Sequence, residues 1–348
     1  KVIKMGLWLP QISTDYGVIG LSLQVHGEIS EILCGSRHGF YVFNCQAPDA
    51  GNMEILIEVG TSQQKKDYLT PLLEGKTRSC FAMTEPGYAG SNPTRMGTIA
   101  KKENGNYIIN GHKWFTSSFD GADFAIVMVV TDPNEANPYK RASQIIVPTN
   151  SEGVEFVRNV SIMGHPGGGW ESHAEIKFNN VIVPESNLLG SEGDGFAIAQ
   201  KRLGPGRIHH CMRTIGMSER ALELMIKRTL EREAFGKKLS EQGVIQQWIA
   251  KSRIMIEEAR LLTLKTAWLM DTVGKDQARI EISAIKVSVI EAATYVIDKA
   301  IQAHGAMGVS QDTPLARMAA GARVLRIADG PDEVHLQSIA KREINKHR

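Results

Sequence analysis

The polar segment from Arg326 to His335 reads Arg-Ile-Ala-Asp-Gly-Pro-Asp-Glu-Val-His and contains a carboxylate that could do chemistry. A carboxylate that is held close to a weakly acidic proton and shielded from water can act as a general base. The same sequence is also a good helix start, in which Asp329 would only cap the helix that follows. The segment therefore predicts either a general base or a helix cap at Asp329.

A second candidate segment runs from Cys80 to Asn92 and is rich in small residues and hydroxyl groups. It contains Thr84-Glu-Pro-Gly and, shortly afterwards, Gly90-Ser91. Small residues allow the backbone to approach a ligand closely, and N–H and hydroxyl groups bind a ligand without adding charge. Taken alone, Glu-Pro-Gly more often forms a simple turn.

Two arginines, one aromatic residue and one serine are further candidates. Arg207 follows a Gly-Pro-Gly sequence, and we place it at a helix start, where it could orient a carboxylate, hold an anion or simply face solvent. Arg232 stands at a predicted helix end, and its planar guanidinium suits phosphate oxygens. Phe115 and Ser117 follow Asn110-Gly111, which is typical of a hairpin turn, and aromatic residues on strands are often plain core.

Composition narrows the class of protein. A chain of 348 residues with 42% hydrophobic residues predicts two or three folded domains, and a net charge of +2 gives no reason to expect a nucleic-acid partner. No apolar run is long enough to span a bilayer. His209-His210 lies in a helical run without a partner cluster, so we expect no metal site. The scattered cysteines predict free thiols in a reducing, intracellular compartment; they are Cys34, Cys45, Cys80 and Cys211.

The distribution of apolar, β-branched and turn-forming residues along the chain predicts which elements position these candidates. We expect an α+β, mostly α fold with an N-terminal helical domain (1–77), a middle β-sheet domain (78–188) and a C-terminal four-helix bundle (189–348). A helix is predicted over 52–73, and breaks between long helices are predicted near Gly236, Gly274 and Gly305. Short β-branched runs predict the strands 106–111, 125–130, 144–147 and 174–178.

The two separated segments, their order and this arrangement resemble the acyl-CoA dehydrogenases, which are FAD flavoproteins. The likeness covers the chain from about Asn44, whereas residues 1–43 fit poorly. It is strongest to the subgroup whose animal members carry a kinase-like domain beside the dehydrogenase. Departures from the family pattern are Asp329 in place of glutamate, a residue inserted between Pro86 and Ala89, Asn92 in place of aspartate, Gly243 in place of glutamine and Ala306 in place of glycine.

The resemblance implies a role for each candidate residue. Asp329 would be the base that removes an α-proton, and the family's alternative base position, one residue before Arg207, is held by Gly206. Aspartate is shorter than glutamate by one methylene, and a misplacement of ~1 Å can cost on the order of 100-fold in rate. The implied substrate contacts are Ser91, Arg207 and Gly330. The implied FAD contacts are Phe81, Met83, Thr84, Phe115, Ser117, Arg232, Phe235, Gln302 and Gly305.

The implied activity is the α,β-dehydrogenation of an acyl-CoA to a trans-2-enoyl-CoA. The family analogy further implies electron-transferring flavoprotein as the acceptor and a homotetramer. Three alternatives stay open: an acyl-CoA oxidase, a nitroalkane oxidase-like flavoenzyme, which would also use an aspartate base, and a flavin-bearing protein that binds acyl-CoA without oxidising it.

Overall fold

The computed structural model describes residues 1–202 and 206–348, which form two compact units. The helical unit combines Lys1–Phe43 with Gly206–Arg348, and the sheet unit comprises Asn44–Pro205. The N-terminal residues belong to the helical unit because α1 packs on α7, where the Asp271 carboxylate accepts hydrogen bonds from the N–H groups of Leu23 and Gln24, both 3.0 Å long. These units do not follow the predicted division at residues 77 and 188.

Most of the described residues outside the sheet are helical. The α-helices are α1 Leu23–Leu33, α2 Gly39–Val42, α3 Asp49–Val59, α4 Ser62–Gln64, α5 Thr70–Leu73, α6 Gly195–Glu231, α7 Gly243–Thr272, α8 Arg279–His304, α9 Leu315–Leu325 and α10 Asp332–Asn345. A π-helical turn, Lys65–Leu69, joins α4 to α5. The 3-10 turns are Ile3–Met5, Thr14–Tyr16, Pro138–Lys140, Gly169–Glu171, Glu185–Asn187, Leu239–Glu241 and Gly305–Val309.

The central sheet of the sheet unit is eight-stranded in the described part of the chain, in the order β6-β7-β3-β2-β4-β5-β8, with β1 also paired to β4. Its strands are β1 Ser79–Ala82, β2 Ile99–Glu103, β3 Asn106–Ser117, β4 Phe124–Val130, β5 Ala142–Pro148, β6 Val154–Asn159, β7 His173–Pro184 and β8 Leu188–Leu189. Every residue of β4 is buried, as its β-branched run predicts for a central strand. A separate hairpin in the helical unit pairs β9 Glu233–Ala234 with β10 Lys237–Lys238.

The core of the helical unit lies around α8, which packs against α7, α9 and α10. Alanines and β-branched residues such as Ile290 and Val296 fill the centre and let the helices approach closely. Helix breaks fall where predicted, since α7 and α8 end just before Gly274 and Gly305, both of which have positive φ. The predicted α+β fold, with a central sheet and a C-terminal helical region, is confirmed.

Three local predictions are wrong. The helix predicted over 52–73 is interrupted, because Gly60 is extended and Thr61 begins a new helix with a capping box. Arg207 does not start a helix but lies within α6; the Gly-Pro pair behind that prediction occupies positions 204–205, outside the described residues. Asn110-Gly111 forms no turn but a bulged part of β3, where a side chain on Gly111 would come within 2.5 Å of the Thr98 side chain.

Candidate functional site

Asp329 lies in the tight connection between α9 and α10 and has a left-handed backbone with φ +57°. Gly330 follows with φ +105°, so two successive residues with positive φ turn the chain sharply. The N-cap of α10 is Pro331, which makes no side-chain cap bond, and the Asp329 side chain points to another helix instead. The helix-cap interpretation of Asp329 is therefore wrong, since Pro331 is the N-cap and the Asp329 side chain contacts α6.

Two residues of α6 hold Asp329. Arg207 Nε donates a hydrogen bond of 3.1 Å to the Asp329 backbone carbonyl, and His210 Nε2 lies 2.7 Å from the Asp329 carboxylate oxygen Oδ2. Residues three apart on a helix share one face, so Arg207 and His210 reach the same target. Arg207 therefore fixes the backbone of the predicted base, not its carboxylate, and the carboxylate is 25% exposed.

Asp329 lies among several basic groups that are largely withdrawn from water. Burial lowers the pKa of Arg207, of Arg213 and of Lys286, and in each case the Asp329 carboxylate opposes that shift. The Lys286 ammonium donates to the carbonyl of Leu325, the last residue of α9. These basic groups would favour negative charge that develops on a ligand beside Asp329.

Gly330 lies directly against the ring of His335. A side chain on Gly330 would place its Cβ 2.9 Å from His335 Nε2, closer than van der Waals contact allows. His335 is buried, and burial lowers its pKa to about 4, with Arg207 contributing in the same direction. The close approach of the His335 ring and the left-handed backbone together favour glycine at this position.

In the sheet unit, Thr84 connects the end of β1 to the middle of β3. Thr84 Oγ1 donates to the Trp114 carbonyl (2.8 Å), and the Trp114 N–H donates to the Thr84 carbonyl (3.0 Å). Phe81, Met83 and Met96 pack together around a small core cluster that includes Met128. Three of the predicted FAD contacts, Phe81, Met83 and Thr84, thus lie at or just after the C-terminal end of β1.

A buried ion pair contacts this segment through the Met83 carbonyl. Lys113 Nζ lies 2.7 Å from Glu85 Oε1 and donates to the Met83 carbonyl at 2.9 Å. The Glu85 carboxylate also accepts from the N–H groups of Gly97 (2.6 Å) and Thr98 (3.0 Å). Burial lowers the pKa of Lys113 to about 8, and Glu85 opposes that shift. The pair fixes the two ends of the loop that carries the Glu-Pro-Gly sequence.

Phe115 stands at a bulge of β3 with φ +50°, and its ring is 41% exposed. A positive φ is unusual for a large aromatic residue, and a backbone strained in this way is typical of functional sites. The Trp114 and Phe115 rings pack edge to face with centroids 4.9 Å apart. Two residues on, Ser117 Oγ lies 2.8 Å from His173 Nδ1 on β7, and burial lowers the pKa of His173. The arrangement presents an aromatic face and a hydroxyl group at the predicted flavin segment.

The remaining predicted contacts are exposed. Ser91 lies in the exposed loop after β1, and Gln302 and Gly305 lie at the C-terminal end of α8, where Gly305 has φ +64°. Arg232 and Phe235 stand at the β9–β10 hairpin, and the Phe235 side chain is fully exposed with φ +54°. An exposed aromatic with strained backbone beside an arginine suits a ligand that combines a flat ring with a phosphate.

The sequence interpretation missed three residues at these sites: Lys113, His173 and His210. The spacing of Arg207 and His210 on one helical face was the available signal for His210. Lys113 and His173 carried none, because their partners come from distant strands. Among the described residues no group of three or more metal-ligating side chains is found, and no helix has the length and apolarity needed to cross a membrane.

Comparison with known proteins identifies the family. Residues 80–181 match the model for the acyl-CoA dehydrogenase middle domain, and residues 193–344 match the model for the C-terminal domain. Mouse acyl-CoA dehydrogenase family member 11 is 49% identical over 97% of this chain, which spans 43% of that protein. The Mycobacterium tuberculosis protein named probable acyl-CoA dehydrogenase FadE2 is 47% identical over 100% of this chain and 85% of its own length.

Two solved structures are similar throughout. One from Mycobacterium abscessus, described as a member of this family, shares 43% identity with a TM-score of 0.97 and covers 100% of this chain and 85% of its own. The FAD complex of PigA shares 25% identity with a TM-score of 0.86 and covers 97% of this chain and 86% of its own. The chain spans less than half the length of the animal relatives, and the prediction made from its motifs is confirmed: it belongs to the acyl-CoA dehydrogenase family.

Proposed function

We propose that the protein is an acyl-CoA dehydrogenase that oxidises an acyl-CoA thioester to the trans-2-enoyl-CoA and passes the electrons to electron-transferring flavoprotein. The observation that carries this proposal is Asp329, a partly exposed carboxylate in a left-handed turn that Arg207 and His210 hold from the same helix. A carboxylate held in this way can accept a proton from carbon.

FAD is the cofactor, and the residues of this chain fit it. The strained, exposed Phe115 offers a flat apolar face, and Ser117 offers a hydroxyl group at the same segment. The exposed pair Arg232 and Phe235 offers a guanidinium for phosphate oxygens and a second ring. When bound, FAD supplies the acceptor for the hydride that leaves the β-carbon. The residues we assign to it are Phe81, Met83, Thr84, Phe115, Ser117, Arg232, Phe235, Gln302 and Gly305.

The protein's own part in the reaction is proton removal and positioning. Asp329 takes the α-proton, Arg207 fixes its backbone, and the bare Gly330 backbone allows the acyl chain to approach. The surrounding cations lower the cost of the negative charge that develops on the thioester oxygen. We assign Ser91 as a substrate contact. The protein would assemble as a homotetramer.

An anaerobic titration of the purified holoenzyme with acyl-CoAs of increasing chain length tests the proposal. Loss of the long-wavelength flavin absorbance with some chain lengths, abolished in Asp329→Asn, supports the dehydrogenase. The matched control is Glu333→Gln, which removes an exposed carboxylate of α10 and should bleach normally. Spectral shifts without bleaching in the wild-type protein support a binding protein instead. Hydrogen peroxide formed in air in step with substrate oxidation supports the oxidase alternative.

A further inference from the structure

His210 holds the side chain of Asp329 while Arg207 holds its backbone. The distance from His210 Nε2 to Asp329 Oδ2 is 2.7 Å, which is a hydrogen bond in its strong range. The His210 side chain is 13% exposed, so its end of this contact is largely shielded from water. The carboxylate torsion of an aspartate is broad and roughly two-fold when nothing restrains it. One contact from α6 therefore restricts the rotation that the backbone contact leaves open.

The charge around His210 decides which partner carries the proton. Burial, together with Arg213 and Lys286, lowers the pKa of His210 to about 4, although Asp329 acts in the opposite direction. His210 is thus a neutral imidazole with one N–H at neutral pH. The Nδ1 atom of His210 is buried, and it has no hydrogen-bond partner among the described residues. A proton on Nδ1 would leave a buried N–H unsatisfied, whereas a proton on Nε2 points at the Asp329 carboxylate.

We propose that His210 is a positioning residue, whose Nε2–H fixes the rotation of the Asp329 carboxylate. This inference rests on the proposed function, since it concerns how the base of that reaction is prepared. Aspartate reaches less far than glutamate, so its position must be set more closely. Arg207 restrains the Asp329 backbone, and His210 restrains its carboxylate. Reacting groups must be held within roughly 0.5 Å of the productive geometry.

The test measures proton removal apart from oxidation. A 3-thia-acyl-CoA, in which sulfur replaces the β-carbon, cannot lose a hydride, yet its α-protons can still exchange with solvent. The holoenzyme is incubated with this analogue in deuterium oxide, and α-exchange is followed by NMR at several pH values, together with the analogue's dissociation constant. The variants are His210→Leu, which removes the donor, and His210→Gln, whose amide N–H can replace Nε2–H. His210→Asn, with an amide too short to reach, is a second donor-loss variant in case leucine impairs folding.

The expected result separates the donor from the side chain's bulk. Loss of the donor in the leucine and asparagine variants should slow exchange on the order of 100-fold at an unchanged dissociation constant, the effect of a ~1 Å misplacement. The glutamine variant should stay within roughly tenfold of wild type. In the donor-loss variants the acid limb of the pH profile should move to higher pH, because a carboxylate that loses a hydrogen-bond donor binds its proton more tightly. The charged and titratable groups facing this pair are unchanged in all three variants; they are Arg207, Arg213, Lys286 and His335.

Two results overturn the inference while leaving the proposed function intact. One is normal exchange in His210→Leu, and the other is a glutamine variant as slow as the leucine variant. A wild-type holoenzyme that exchanges no α-proton and is not bleached by any acyl-CoA refutes the proposed function, and the role of His210 falls with it.

Discussion

Replacing Lys113 with methionine is the sharpest test of how the sheet unit is built. The substitution keeps the length and apolar volume of the side chain and removes its charge. It leaves the Glu85 carboxylate buried, at 4% exposure, without the cation 2.7 Å away, and it leaves the Met83 carbonyl without its donor. The Glu85 carboxylate keeps its hydrogen bonds from the backbone N–H groups of Gly97 and Thr98.

The magnitude follows from the burial of both partners. Removing one member of a buried ion pair costs about 3–5 kcal/mol, since the remaining charge is desolvated and uncompensated. For a domain of roughly this size each kcal/mol lowers the melting temperature by about 2–4 °C, which predicts a fall of about 6–20 °C. The double variant Lys113→Met/Glu85→Gln removes the buried charge and should regain about 1–3 kcal/mol, because glutamine still accepts from the backbone.

Thermal unfolding monitored by circular dichroism, with and without added FAD, measures both effects. The matched control is Lys102→Met, which breaks the solvent-exposed contact of 2.6 Å between Lys102 and Glu185 in the same unit and should leave the melting temperature nearly unchanged. An equal loss in the Lys102 and Lys113 variants would refute the argument from burial. So would a double variant that is less stable than Lys113→Met alone.

Three further predictions concern the helical unit. Gly330→Ala should lower the rate of flavin bleaching by at least about tenfold and destabilise the protein by roughly 1–3 kcal/mol. The new Cβ would lie too close to the His335 ring, and alanine would have to adopt a left-handed backbone. Full activity in this variant would contradict the described contact. Acid should destabilise the protein as the pH falls from 6.5 towards about 4. Burial holds the pKa of His26 near 3 and those of His210 and His335 near 4 in the folded protein. The same histidines take up protons below about pH 6.5 in the unfolded chain, so acid favours unfolding. Each such histidine contributes up to about 1.4 kcal/mol per pH unit, and urea unfolding at pH 7.5, 6.5 and 5.5 would show a flat curve if they were exposed. Phe235→Ala should leave the melting temperature of the apoprotein unchanged, since the ring is fully exposed, but should weaken FAD retention during gel filtration; undiminished retention would remove Phe235 from the assigned FAD contacts.

The local elements were largely predictable from the residues. The run of β-branched residues in β4 and the glycines after α7 and α8 act through backbone preferences within a few positions, and the structure has a strand and two helix ends there. The errors arose where a local signal met tertiary packing. Asn110-Gly111 has the composition of a turn, yet glycine is needed at position 111 because Thr98, just before the neighbouring strand β2, leaves no room for a side chain.

The sequence by itself determined the family and the identity of the candidate base, because those depend on residue types at fixed spacing along one segment. What holds the candidate base was decided by tertiary structure alone. Asp329 meets His210 across 119 positions of sequence, and Lys113 meets Glu85 across two distant segments, so no local periodicity encodes either pair. Packing also supplies the physical cause of their effect: burial removes water from these groups, and only then do a hydrogen bond of 2.7 Å and a few nearby charges set protonation and orientation.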